Sequence, residues 1–561
     1  MEPREMRLLL VSDFTIDSIA GLMQGDGRDT TTTMVEVAPL GHVLPSLLTL
    51  AQGPKYEHTD AVLIWTRPET AIPGFARFLD APVTLNDLSA EVDAFAKHVL
   101  AAAEKVDLIL VPTWTIAPFT RGLGPLHMRP GIGAGHALTS MNLRLMDRLA
   151  VAGNIHVLDA QRWLAMTGAT AVNPKQWYMA KAAFSNDVFK EAVLDIKAVL
   201  MAVRGAARKL VIVDLDDTLW GGVVGEVGVD GITLGGHDAV GEAFVDFQRA
   251  LKMLRRRGVL LGIVSKNDEQ TALKAIGDHP EMVLALDDFA GYCINWEDKA
   301  YNVAQLAQEL NLGLQSVVFI DDNAFMRGRV AETLPEVLVP QWPSNPMQFV
   351  RTLEDLRCFD SVALTGEDLS RQDMLLDERA RSSLRKKIGS IEDWLNTLDL
   401  TINVEKLTTN NLKRAAQLLN KTNQMNLHTR RLAETELEDW AGVADHWMWT
   451  FRVSDRFGDS GLTALLGIER SGDSAEMTDF VVSCRVFQRG VEEAILAHVV
   501  ALCCKMGMKR LTAIYHPTDK NKPCLEFWRR SGFSVNSNDG YTFMWDLSNT
   551  YDPPAHIKIE D

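Results

Sequence analysis

The chain is poor in the features that would tie it to an oxidising compartment, a membrane or a nucleic acid. Six cysteines occur in 561 residues, none in paired CxxC spacing. That is too few for a disulfide framework, and the expectation is free thiols in a reducing cytoplasm. No apolar run is long enough to cross a bilayer. Met1-Glu-Pro-Arg-Glu5 is acidic and lacks a signal-peptide pattern. Basic charge is scarce, with 57 Lys and Arg against 74 Asp and Glu, a net charge of −17. Without basic clustering or a basic tail, neither nucleic acid nor an anionic membrane is an expected partner. What remains is ordinary globular composition, 47% apolar and 23% charged. A chain of this length exceeds one hydrophobic core, and roughly three domains are expected.

One stretch organises the rest, Lys209-Leu-Val-Ile-Val-Asp-Leu-Asp-Asp-Thr-Leu-Trp-Gly-Gly222. Leu210 to Val213 read as a buried strand. It runs into Asp214, Asp216 and Asp217, carboxylates that repel one another unless a cation sits among them. That end is also where open α/β sheets bind ligands. An acidic turn with a helix N-cap fits this stretch equally well. Three later stretches change the balance. Leu260–Ser265 is a second apolar strand, ending in a hydroxyl and followed by Lys266 and Asn267. Lys299 opens an amphipathic helix after Asn295-Trp-Glu-Asp298. Val317–Ile320 is a third apolar strand, ending in Asp321-Asp322-Asn323. Strand–helix alternation predicts a parallel sheet with these strand ends on one edge.

Four such motifs in this order resemble the haloacid dehalogenase (HAD) superfamily of phosphohydrolases. The resemblance implies that Asp214 attacks phosphorus and that Asp216 protonates the leaving oxygen, then activates water. It implies that Ser265 and Thr218, with Lys266 and Asn267 beside them, bind the phosphoryl group. Lys299 would stabilise charge, and Asp214, Asp216, Asp321 and Asp322 would hold Mg2+. The chemistry requires such groups, because a carboxylate attacks a dianionic phosphate only once that charge is neutralised.

Ahead of this domain, short apolar runs at residues 7–12, 61–65, 108–112 and 155–159 alternate with helical patterns at 88–105 and 138–152. They predict a doubly wound α/β domain over 1–207. It resembles the SGNH-hydrolase-like fold, without the Gly-Asp-Ser of that family at Ser12-Asp13, and reads as a docking or scaffold domain. A helix over 186–207 leads into the HAD-like Rossmannoid domain, 208–360. Its helix at 241–257 follows the first motif within about twenty residues, leaving no room for a large cap. Residues 361–390 read as a helical linker, with a basic stretch at Arg379–Lys387 suited to an acidic carrier protein or to a solvated face. From 391 to 549 the pattern is α+β, with strands at 400–404, 446–453, 462–469, 475–482, 510–515 and 541–547. Its helices fall at 490–506 and 524–531, and 550–561 reads as a tail. This order resembles the GNAT acyltransferase fold. Gln488-Arg-Gly-Val-Glu492 falls at the turn that would hold a coenzyme A pyrophosphate, and Glu492 places negative charge there.

The three domains together resemble the FkbH-like family of glyceryl transferase/phosphatases of polyketide biosynthesis. Further matching stretches are Lys421-Thr-Asn-Gln-Met-Asn-Leu427, Asp455-Arg-Phe-Gly-Asp-Ser-Gly461 and Ser483-Cys-Arg-Val486. The resemblance implies that 1,3-bisphosphoglycerate acylates an enzyme cysteine and that the C3 phosphate is removed. The glyceryl group then passes to the phosphopantetheine thiol of an acyl carrier protein. Among the cysteines, Cys503 and Cys504 lie on an amphipathic helix, and Cys293 sits in an apolar strand. Cys484 adjoins Arg485 at a predicted strand end before a helix, where cations and helix N-termini lower thiol pKa. It is the expected acyl site, with Arg485 as a substrate contact and His428 as base or orienting group. Two other classes remain open: a HAD phosphatase without acyl transfer, and a non-catalytic docking protein.

Overall fold

The structure, a computed structural model, describes the chain apart from residues 1–5, 25–32, 54–58, 79–82, 311, 362–380, 382–383, 385–387, 389, 484, 488, 519, 538 and 561. It forms two compact units, Met1–Asp368 and Leu369–Asp561.

The first unit contains two parallel sheets. Strands β1 (Met6–Ser12), β2 (Thr33–Val37), β3 (Ala61–Trp65), β4 (Leu108–Pro112) and β5 (Ile155–Leu158) form one sheet, in the order β2-β1-β3-β4-β5. All of β3 and β4 is buried. These strands carry continuous apolar runs because helices cover both faces of a doubly wound sheet. The second sheet is built from β6 (Leu210–Val213), β7 (Leu260–Ser265), β8 (Gly291–Ile294) and β9 (Val317–Ile320), in the order β8-β7-β6-β9. β6 lies between β7 and β9, with Val213 level with Ile263 and Ile320. Chain order reverses there, which makes the carboxyl end of β6 the ligand crevice of such a sheet.

The expected boundary at 207/208 falls inside this unit, and contacts across it explain why. Arg357, at the far end of the second sheet's domain, pairs with Glu191 and Asp195 of the helix Asn186–Val203.

The second unit is one eight-stranded mixed sheet. Its strands are β10 (Leu400–Lys406), β11 (His446–Asp455), β12 (Gly458–Ser471), β13 (Ser474–Val482), β14 (Arg510–Ile514), β15 (Ser534–Val535), β16 (Thr542–Asp546) and β17 (Ile557–Glu560). They lie in the order β15-β16-β14-β13-β12-β11-β10-β17. β13 and β14 are parallel but pair only over Ser474–Met477 and Arg510–Ala513. Beyond that they diverge, and Met425–Leu427 fills the gap: the Leu427 amide donates to Phe480, Val482 to Met425, and His516 to Leu427. The supposed tail is no tail, because β17 pairs parallel to β10. The linker's basic stretch lies almost wholly outside the described residues.

Candidate active site

The register of the second sheet brings the motif residues to one edge. Asp214 follows β6 and extends its ladder, the amide donating to the Ile320 carbonyl at 3.0 Å. Ser265 closes β7, and Asp321 and Asp322 follow β9. Lys299 opens the helix Lys299–Glu309, which Asp298 caps by accepting from the amides of Ala300 and Tyr301. Neighbouring strands are about 4.8 Å apart, so side chains leaving adjacent strand ends converge.

Lys299 is the hub. Its Nζ lies 2.8 Å from Asp214 Oδ2 and 2.7 Å from Asp321 Oδ2, and all three side chains are buried. Asp214 Oδ1 is also buried, yet has no hydrogen-bond partner among the described residues. One Asp214 oxygen is thus locked and the other left bare. Asp321 Oδ1 accepts from the Asn323 amide at 2.9 Å. Burial works against the charge on Lys299, but Asp214 and Asp321 hold its pKa above the ordinary value. Burial and the Asp214 charge raise Asp321 in turn. Burial, with Asp321, Asp214 and Asp217 nearby, pushes Asp322 up to about 6. One lysine therefore faces several carboxylates, an imbalance that a cation would relieve.

Oxygens of Asp214, Asp321 and Asp322 lie within 4.8 Å of one another. A set of carboxylate oxygens with one orphaned member fits a hard divalent cation such as Mg2+. Asp216, expected among the ligands, is held elsewhere. Its Oδ1 accepts from Trp220 Nε1 at 2.9 Å and the Val224 amide at 3.1 Å, and its Oδ2 accepts from Asn267 Nδ2 at 2.8 Å. Burial raises its pKa, which suits an acid that gives up a proton on demand. Asn267 thus serves Asp216 in this structure. Thr218 is likewise taken: the Asp322 amide donates to its Oγ1 at 3.1 Å, and the hydroxyl donates to Asp322 Oδ1 at 3.3 Å. Ser265 is buried at the same edge and Lys266 half-buried. Asp217 adopts φ 53° and accepts from the Gly222 amide at 2.7 Å, tightening the turn.

Arg327 was not anticipated. Its Nη1 donates to the carbonyls of Asp321 and Asp322 at 2.7 and 2.6 Å, fixing the acidic turn from behind. Its signal was an arginine about one turn into a helix that Asn323 caps. Asn323 in that role was readable; the backward reach of Arg327 was not.

Cys484 lies outside the described residues, as does Gln488. Arg485 is in the turn after β13, its amide donating to Ser483 Oγ at 3.4 Å. Burial pushes the thiols of Cys358, Cys503 and Cys524 up to about 12, and Cys293 is buried. Cys504 is exposed but ends the helix Val491–Lys505, about 20 Å from that helix's first turn at 1.5 Å per residue. His428 packs edge-on against His516, ring centroids 4.1 Å apart. Its Nε2 is buried without a partner among the described residues. Burial and His516 lower its pKa to about 4, so the ring is neutral near pH 7. Asn521, wholly buried, ties the two loops together by donating to the carbonyls of Asn426 and His516. Glu492 is wholly buried at the helix start. His556 covers that turn, its Nε2 donating to the Arg489 carbonyl at 2.9 Å.

A scan against family models finds no match, and a search of curated proteins finds none. Among solved structures, the chain is similar to the N-terminal part of BF1531 from Bacteroides fragilis, which contains a phosphatase domain and was crystallised with Mg. Identity is 26%, covering 64% of this chain and 95% of that one, with a TM-score of 0.58. Over 26% of this chain it is also similar to the GNAT domain of S. lividans PAT, at 18% identity, 89% coverage of that chain and a TM-score of 0.22. The Escherichia coli ribosomal-protein-S18-alanine N-acetyltransferase gives 14%, 90% and 0.20 over a similar share. Likenesses that slight leave the second unit to be argued from its own strand order. The parallel sheet and its carboxylate–lysine edge define a multidomain α/β protein with a HAD-type phosphatase domain.

Proposed function

We propose that the protein takes the 3-phosphoglyceryl group of 1,3-bisphosphoglycerate onto a cysteine, removes its phosphate at the Asp214 site, and loads glyceryl onto the phosphopantetheine thiol of an acyl carrier protein. The orphaned Oδ1 of Asp214 carries the phosphatase half. A buried carboxylate oxygen without a donor costs folding free energy, so its retention marks a position meant for a ligand. Held through Oδ2 by Lys299, Asp214 presents Oδ1 to phosphorus. The new O–P bond forms as the substrate C3–O–P bond breaks, and Asp216 gives its proton to the departing alkoxide. Asp216 then takes a proton from the water that attacks the aspartyl-phosphate, releasing phosphate and restoring Asp214. Lys299 offsets charge on the transferring group. Bound through Asp214, Asp321 and Asp322, Mg2+ would neutralise the phosphate dianion.

For the acyl half, a thiolate displaces phosphate from the acyl phosphate and forms a thioester without ATP. The carrier thiol then takes the glyceryl group and the enzyme thiolate leaves. Cys484 is favoured over four of the other five cysteines: burial disfavours ionisation at Cys358, Cys503 and Cys524, and the exposed Cys504 is far from the helix start; Cys293, buried in β8, is the next candidate. His428, neutral at physiological pH, can accept the thiol proton.

Intact-protein mass spectrometry tests this directly, after incubation with Mg2+ and enzymatically generated 1,3-bisphosphoglycerate. Wild type should carry a glyceryl adduct, Asp214→Asn a trapped phosphoglyceryl adduct, and Cys484→Ala none. An adduct that survives Cys484→Ala moves the acyl site. No adduct on any variant, with phosphate still released from small phosphoesters, leaves a phosphatase alone.

A further inference from the structure

The net acidity of the chain is unevenly distributed. Residues 108–146 and 160–186 contain no Asp or Glu, although the whole chain has 74. These stretches hold the loops that follow β4 and β5, at the carboxyl edge of the first sheet. Arg121, Arg129, Lys175 and Lys181 are exposed there, and no acidic side chain pairs with any of them among the described residues. The same stretches expose large apolar side chains: Phe119 at 61% and Met128 at 60%, and on the helix Pro174–Ala180 Tyr178 and Met179 at 77% each. Exposed apolar clusters rimmed by charge mark interaction sites, and Arg, Met and aromatic residues are the types enriched in interfaces.

This face also has a built centre. A pocket of about 380 Å3 opens between Phe119, Trp177, Tyr178 and Phe184, with Thr115 and Arg67 in its wall. The Arg67 guanidinium lies 3.9 Å above the Trp177 ring. Its Nε is buried and has no partner among the described residues, while Nη2 sits 3.5 Å from Glu69, the acidic residue of the wall. The rim is pinned, since the Thr15 amide and hydroxyl donate to the carbonyls of Lys181 and Ala180. An aromatic wall with one under-used arginine fits an apolar group that carries an acceptor or an anion.

We infer that this face of the first unit is where the acyl carrier protein docks, its acidic surface against Arg121, Arg129 and Lys175 and its apolar contacts on Phe119, Met128 and Tyr178. The occupant follows from charge complementarity, because on a chain of net charge −17 a cationic face without Asp or Glu attracts an acidic partner that the chain as a whole repels. The inference rests on the carrier-loading function proposed above and adds the surface that serves it.

The test is fluorescence anisotropy with a labelled, phosphopantetheinylated acyl carrier protein, titrated with the full chain at low and at physiological salt. Arg121→Glu/Arg129→Glu should bind about tenfold more weakly, and the wild type, not the variant, should lose affinity steeply with salt. Lys175→Glu, on the neighbouring helix, should lose affinity in the same sense, so a folding defect in the loop variant does not decide the question. Thermal midpoints check both variants. Equal binding by wild type and both variants, with glyceryl still loaded, overturns the docking face and leaves the function standing. A wild type that neither binds nor loads the carrier sinks the function and the docking face together. Variants that lose self-association in sedimentation while carrier binding is unchanged assign the face to a second copy and overturn the inference.

Discussion

The first unit contains two parallel sheets whose carboxyl edges carry polar side chains, and only one edge is equipped for chemistry. At the end of β1, the Phe14 amide donates to Ser12 Oγ at 3.1 Å, and the Asp13 carboxylate accepts from the Arg67 amide at 3.0 Å. Asp159, after β5, caps the next helix through the Arg162 amide. Each of these groups is consumed by the local backbone. At the end of β6, by contrast, Asp214 Oδ1 is left bare, Lys299 is shared between two carboxylates, and Asp322 is lifted to about 6. Architecture is common to both edges. What differs is whether donors satisfy the carboxylates, and reactivity belongs to the edge where they do not.

The largest expected effect breaks that contrast at its centre. Asp214→Asn should lower turnover of a small phosphoester by roughly 10^4-fold or more, the scale seen when an enzyme loses its nucleophile. Full activity in that variant would remove Asp214 from the mechanism. Lys299→Met comes next. It strands Asp214 and Asp321 as buried, uncompensated charges, a change worth about 3–5 kcal/mol of stability, with turnover lost as well. Chemical denaturation in Mg2+-free buffer measures it. A midpoint equal to wild type would mean that solvent already reaches the pair.

The HAD edge was legible because its motifs are local. Leu210–Val213, Leu260–Ser265 and Val317–Ile320 are apolar runs that end where the chemistry begins, and the observed strands coincide with them. Second-layer assignments were not legible. Asn267 was expected at the phosphate and instead donates to Asp216, while Thr218 serves Asp322. Either role suits the same residue type, and the contacts that decide between them join residues 51 and 104 positions apart in sequence. β2 was missed because Thr33–Val37 alternates in exposure as an edge strand, with too few apolar residues to stand out. β17 was missed for a related reason: Ile557–Glu560 is short and mixed, and its pairing with β10 is set by residues far away in sequence.

The acidic edge also makes a pH prediction with a definite sign. The pKa of Asp322 is raised in the folded protein from 3.8 to about 6, so between those values the folded state binds more protons than the unfolded one. Its contribution to stability is present below pH 3.8, is lost as pH rises through 6, and is flat above. Mg2+ competes with that proton. Added Mg2+ should therefore raise the thermal midpoint more at pH 7.5 than at pH 5, and an equal rise at both would separate the metal from Asp322. Thr218→Val, which removes the hydroxyl between Asp322 and its own amide, should weaken Mg2+ by about tenfold, as read by calorimetry.

The smallest effect is expected at the other edge, and it sharpens the comparison most. Ser12 is buried at the carboxyl end of β1, and its hydroxyl oxygen is spent on the Phe14 amide. Ser12→Ala should cost about 1 kcal/mol in stability, the net worth of one such hydrogen bond, and should leave both phosphoester turnover and carrier loading unchanged. A large loss of either activity with the melting point intact would give the first sheet a chemical role. The contrast between the edges would then be one of two different reactions, instead of one reactive edge beside a structural one.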